Sequence, residues 1–175
     1  MRRFSRKRFL GALSVIAVLA AAGAAIAYFT STGTGTGTAT VGSATNWTVG
    51  ETGSPSGGPI YPDAAIGTGH IQTDSYTVTN GGSGSQNLTK VVISVANSDG
   101  STWSAQADSG KPACTAHDFS VGDQAVGNGW TDTSLHGDYT AGSSQTGSVT
   151  VQMIDNGANQ DNCQGVTVPL YFSAS

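Results

Sequence analysis

Beyond residue 42 the chain alternates apolar and polar positions with a period of two. Tyr76 and Val78 are flanked by Ser75, Thr77 and Thr79. In residues 88–96, Val91, Ile93 and Val95 share one side and Lys90 and Ser94 the other. Trp103, Ala105 and Ala107 form a third run, Phe119 and Val121 a short fourth. Val149, Val151 and Met153 alternate with Ser148, Thr150 and Gln152, and Val166, Val168, Leu170 and Phe172 with Thr167, Pro169 and Tyr171. Such alternation gives each strand one packed face and one wet face, as in antiparallel sheets. No stretch sustains a helical period, and the body is poor in Leu, Glu, Lys and Arg, the strong helix formers. Seven to nine short strands separated by Gly, Ser and Asn turns predict an all-β fold. The expected form is an antiparallel β-sandwich, immunoglobulin-like or jelly-roll. Pro169 cannot donate to a ladder, so the last strand is expected at an edge or with its nitrogen facing outward.

The punctuation between these runs sets further expectations. Residues 80–86 (NGGSGSQ) separate two apolar runs and read as a hairpin connection, and residues 51–58 (ETGSPSGG) as a loop. Residues 155–162 read as a second hairpin loop before the final strand. Residues 30–42 (TSTGTGTGTATVG) alternate Thr and Gly without charge, a flexible spacer that could stiffen into a strand near residues 38–41.

The start of the chain breaks the pattern. Arg2, Arg3, Arg6, Lys7 and Arg8 precede an almost unbroken apolar stretch from Phe9 to Phe29. A basic head, an apolar core and the small-x-small exit Ala25-Ile26-Ala27 describe a secretory signal peptide, with Tyr28 as the new N-terminus. The stretch also reaches the roughly 20 residues that cross a bilayer, so an uncut anchor is the alternative. The charge asymmetry keeps the basic end cytoplasmic and exports the body in either case. Residues 5–10 (SRKRFL) approach a twin-arginine export signal, but Lys7 stands where the second Arg belongs. The chain thus divides into a signal peptide or membrane anchor at 1–27, a spacer at 28–42 and the sandwich domain at 43–175.

Charge sharpens the functional picture. Outside the head, two cations (Lys90 and Lys111) face eleven acids, which leaves the body at −9. Two cations cannot neutralise a row of phosphates, so nucleic acid is excluded as a partner, and contact with a membrane is expected only through residues 1–29. The two cysteines, Cys114 and Cys163, lie in the exported part and are expected to pair. A closed loop of about 50 residues is worth roughly 4 kcal/mol by loop-entropy arguments.

Catalytic constellations are sparse. His70, His117 and His136 are scattered, no H-E-x-x-H or G-x-S-x-G occurs, and Glu51 is the only glutamate. The residues therefore name no catalytic, cofactor-binding or metal position. His136-Gly137-Asp138 has ligand-like spacing, but it is also ordinary turn chemistry. Residues 155–162 (DNGANQDN) loosely resemble a calcium loop without its bidentate Glu, so calcium is the ion to expect if any binds. Trp103 reads as core, whereas Trp47 and Trp130, among polar and Gly neighbours, could present flat rings to sugars.

The sequence Ala27-Tyr28-Phe29-Thr30 after an Ala-rich core, followed by a Gly/Thr spacer, resembles exported Gram-positive proteins of the camelysin/TasA type. The closing segment 159–170 (NQDNCQGVTVPL) is similar to those of small secreted Gram-positive proteins. The likeness covers about a third of the chain. It implies processing by a dedicated signal peptidase after export. It also implies a secreted β-sandwich with a structural role in the cell envelope or biofilm matrix. The camelysin branch is described as metallopeptidase-like, and no residue here matches a zinc pattern.

The expectation that follows is a non-catalytic cell-surface or extracellular-matrix protein, structural or adhesive. Its partners are the export machinery and either itself or an envelope polysaccharide. After cleavage, Tyr28 and Phe29 would form an apolar hook able to add as a strand to a neighbouring copy. The first alternative is a secreted carbohydrate-binding module and the second, weaker one a secreted hydrolase.

Overall fold

The computed structural model describes residues 44–175. The signal or anchor at 1–27 with its cut at Ala25, Ala27 and Tyr28, the spacer at 28–42 and the strand near 38–41 lie outside the described residues. Eleven strands follow in chain order: β1 (Thr48–Glu51), β2 (Ile71–Thr79), β3 (Gln86–Leu88), β4 (Val91–Val95), β5 (Ser104–Ala105), β6 (Cys114–Thr115), β7 (Phe119–Val121), β8 (Trp130–Asp132), β9 (Gly137–Tyr139), β10 (Ser144–Met153) and β11 (Leu170–Ala174). Two 3-10 turns, Ala116–Asp118 and Asp161–Cys163, are the only helical pieces among the described residues. No helix there is long and apolar enough to cross a membrane.

Every ladder between these strands is antiparallel. The largest sheet runs β1-β2-β10-β7, the second β11-β4-β8, and two small ribbons pair β3 with β9 and β5 with β6. The all-β, antiparallel character expected from the period of two is what the chain adopts.

Burial follows the alternation closely in the long strands. Tyr76 and Val78 are fully buried, as are Val91 and Ile93, while Val95, Val149, Val151 and Met153 are nearly so. Burying each large apolar side chain contributes about 1.5–3 kcal/mol, which makes this face the main source of stability. The Tyr76 ring of the first sheet meets Phe172 of the second, with centroids 5.2 Å apart. Gly147, opposite Tyr76 in the ladder, makes room for that ring. A Cβ there would lie 2.6 Å from ring atoms.

Several finer expectations are corrected. Residues 80–86 are no hairpin, because β2 pairs with β1 and β10 while β3 pairs with β9. The cause is Asn80, whose buried side chain ties the segment to the β9 end. Its amide donates to Gly84, Tyr139 and Thr140 carbonyls, and its Oδ1 accepts from Gly82 N and Gln86 Nε2. Residues 88–96 form two strands rather than one, parted where Thr89 N and Lys90 N both donate to the Ser175 carbonyl. Residues 155–162 are no hairpin loop either, since β10 and β11 belong to different sheets. In the third run only Trp103 is buried and Ala107 is exposed, because the ribbon there is two residues long. The last strand starts at Leu170, not Val166. Pro169 stands just before it, and β11 lies at a sheet edge, as proline requires.

Candidate functional site

The two cysteines pair as expected: Cys114 and Cys163 form a disulfide with Cα atoms 4.9 Å apart. It joins β6 to the second 3-10 turn. Beside it sits Asp118, buried, whose carboxylate accepts from Thr115 N and Oγ1 and from the amides of Asn156 and Gln160. The bridge and this hub fix the path of residues 160–165. From there the chain reaches β11 without entering a ladder.

That path leaves a cleft over the inner face of the largest sheet. Its floor is Gln72 and Asp74 of β2, Phe119 of β7, and Val151 and Met153 of β10. One wall is Pro55, Pro59 and Ile60, the other Val166, Thr167, Val168 and Leu170, and the hollow holds about 540 Å³. A second hollow of about 710 Å³ shares Pro59, Ile60, Met153, Cys163 and Gly165 with it and continues past Tyr61 to Asp155, Asn159 and Asp161. The joined cleft is apolar along its floor and carries carboxylates at both ends. No Lys, Arg or His lines it.

At one end Glu51 pairs across from Tyr76, which places it on the same face as Asp74, one diagonal step away. Burial, and secondarily the charge of Glu51, pushes the Asp74 carboxyl above its ordinary range. At the other end, Tyr61 is 53% exposed and packs edge-on against His70.

The residues singled out by sequence are scattered. His70 is the one histidine that meets a carboxylate: its Nδ1 lies 3.3 Å from Asp63, which also accepts from the His70 N–H. That N–H contact leads in holding Asp63 below the usual carboxylate range. His136 Nδ1 contacts the Thr133 carbonyl at 2.5 Å, while Asp138 takes Asn87 as partner, so His136 and Asp138 form no pair. The ring of His117 packs against Gly127. None of the three rings is hydrogen-bonded to a serine. In the 155–162 loop, the side-chain oxygens of Asp155, Asn156 and Asn159 accept from backbone N–H groups two residues on. The loop is thus held by Asx turns rather than left open for an ion.

The two tryptophans proposed for sugar binding are not exposed. Trp47 packs edge-on against Tyr139 at 5.1 Å, and both Trp47 and Trp130 lie half-buried against the core. Trp130 starts β8 instead of sitting in a loop, and its ring covers Gly122, where a Cβ would come within 2.4 Å of ring atoms. The polar hubs Asn80, Asp118 and Gln152 went unforeseen. Gln152 is the clearest loss: its amide clamps residues 63–68 onto the outer face of the sheet through Asp63, Ala65, Gly67 and Thr68. The only signal for it was a polar residue between Val151 and Met153, which the alternation assigned to water.

No protein-family model, curated protein or solved structure matches the chain. Function must be read from the cleft itself.

Proposed function

We propose that the chain is an exported structural protein of the cell surface or extracellular matrix, and that its body assembles by accepting a strand from a neighbouring copy. The observation that carries this reading is the cleft. Residues 163–169 pass over the inner face of the largest sheet without pairing, so an apolar floor stands open where a further strand would fit. The two facing sheets, tied by the Tyr76–Phe172 contact, support a β-sandwich. The disulfide joins β6 to a 3-10 turn and not the two sheets, which favours a jelly-roll over an immunoglobulin-like arrangement. The donor is the segment 28–41 released by cleavage after Ala27. Tyr28 and Phe29 supply the apolar side chains, and the Thr/Gly repeat supplies an uncharged backbone. The resemblance to camelysin/TasA-type proteins supports the same role.

Deleting residues 28–41 should reduce sedimenting multimers of the secreted protein to monomer, and a synthetic 28–41 peptide should bind the deleted form at one to one. Multimers that persist in the deletion would sink the reading.

A carbohydrate-binding role has one observation in its favour, and it is not a tryptophan. Tyr61 is exposed between Pro59 and Pro62, beside the oxygen-rich wall of Asp155, Asn159 and Asp161. Retention on insoluble polysaccharide that Tyr61→Ala abolishes would establish it, and absence of retention by the natural protein would remove it.

A further inference from the structure

Seven polar or charged side chains are buried in the described body: Asp74, Asn80, Asp118, Ser120, Asp132, Gln152 and Asn162. Six of them are hydrogen-bonded through their side chains. Asp74, only 7% exposed, is the exception: its carboxylate accepts no hydrogen bond and opens into the 540 Å³ hollow. Buried polar groups in native proteins are almost always satisfied, and an unpaired buried charge is the costliest kind to leave.

The surroundings narrow what satisfies it. Glu51 lies one diagonal step away on the neighbouring strand, and Gln72 two residues earlier on the same strand and face. No cationic side chain lines the hollow, so the chain supplies no counter-charge of its own. A protonated Asp74 would need an acceptor for its proton, and the structure gives it none. What is left is two carboxylates and one amide oxygen around a water-accessible space, with no nitrogen or sulfur donor. Oxygen-only sets of this kind take hard cations, and a flexible, partly hydrated one suits calcium better than magnesium.

We propose that Asp74, Glu51 and Gln72 form a calcium-class divalent-cation site at the β1 end of the cleft. Two charged ligands with water completing the shell place it among the weak extracellular sites, with dissociation constants of about 10⁻⁴–10⁻³ M. Calcium there neutralises the inward-facing acids and locks β1 to β2. The site is separate from the 155–162 loop, whose oxygens are engaged in turns. It stands whether or not the cleft accepts a strand.

The test uses the full chain, solubilised in mild detergent, stripped with chelator and titrated with calcium chloride by calorimetry and thermal melting. One calcium should bind per chain, raising Tm by about 3–6 °C at ten times the dissociation constant. Asp74→Asn and Glu51→Gln should each abolish that rise. The double variant Asp155→Asn/Asp161→Asn should keep it. Asp74→Asn should melt no lower than the natural protein in chelator, which shows that the lost response is not lost folding. A rise undiminished in Asp74→Asn overturns the proposal. So does a natural protein that neither binds nor responds at 10 mM calcium, or one that responds equally to magnesium and to sodium chloride of matched ionic strength.

Discussion

Asp74 and Asn80 sit on the same face of the same strand, six residues apart, and both are buried. Asn80 makes five side-chain hydrogen bonds and Asp74 makes none. Between them lie Tyr76 and Val78, fully buried, so the face runs without a break from a closed end to an open one. At the closed end a neutral amide replaces a sheet's missing partners and steers the chain toward β3 and β9. At the open end a charge faces a hollow that the next segment only partly roofs. The same burial thus has opposite meanings: Asn80 builds structure, whereas Asp74 is held against the needs of stability, as functional positions often are.

The largest test removes the wall of the open end. Cys163 lines the cleft, and its bond to Cys114 closes a loop of 49 residues in sequence separation. Cys114→Ala/Cys163→Ala should cost about 4 kcal/mol in urea unfolding. The loss should concentrate at residues 160–168, read as faster amide exchange there, with the Asn80 end protected. Uniform loss of protection would mean that the two ends are not independent.

Asn80→Ala attacks the closed end. It strands the Tyr139 and Thr140 carbonyls and the Gly82 N–H, for an expected loss of about 3 kcal/mol. Calcium binding at the open end should survive in the folded fraction. Tyr76→Phe probes the middle of the face. The Tyr76 hydroxyl donates to the Asp132 carboxylate, and burial first, then that bond, drives its own pKa far above the ordinary phenol range. Burial pushes Asp132 up, but hydrogen bonds from Ser134 and Tyr76 outweigh it and hold the carboxyl below its usual value. A lowered folded-state pKa means stability present above the unfolded value of 3.8 and lost as pH falls through the folded one. Tyr76→Phe should cost about 2 kcal/mol at pH 7 and shrink that acid-side loss, checked by melting between pH 2 and 6.

Much of this face could be read from the sequence, and the part that could not has a physical reason. Alternation located Tyr76, Val78, Val91, Ile93, Phe119, Val121, Val149, Val151 and Met153, because apolar burial depends on residue type and period alone. The cysteine pair followed from export and spacing. Polar residues on the inner face were invisible to that reasoning: Asp74 continues the period of Tyr76 and Val78, yet its charge marked it as solvent-facing. Connections failed for the same reason. Residues 80–86 have the composition of a hairpin, and only the bonds of Asn80 to residues nearly 60 positions away send the chain elsewhere. Trp47 and Trp130 misled through their neighbours, since Gly122, distant in sequence, is what Trp130 covers.

The smallest expected effect has the opposite sign and separates the two ends most cleanly. Asp74→Asn keeps the shape, removes the unpaired charge and should stabilise the calcium-free protein by about 1 kcal/mol at pH 7. The pH dependence follows from the direction of the shift. Because the folded state raises the Asp74 pKa, folding favours the protonated form. Stability from this group is then greatest below the unfolded value of 3.8 and declines as pH rises from there through the raised folded value. The asparagine variant should lack that decline, so the two melting curves converge at low pH and part as the solution is neutralised. Curves that stay parallel from pH 3 to 7 would mean that Asp74 is already compensated in the free protein, and the contrast with Asn80 would dissolve.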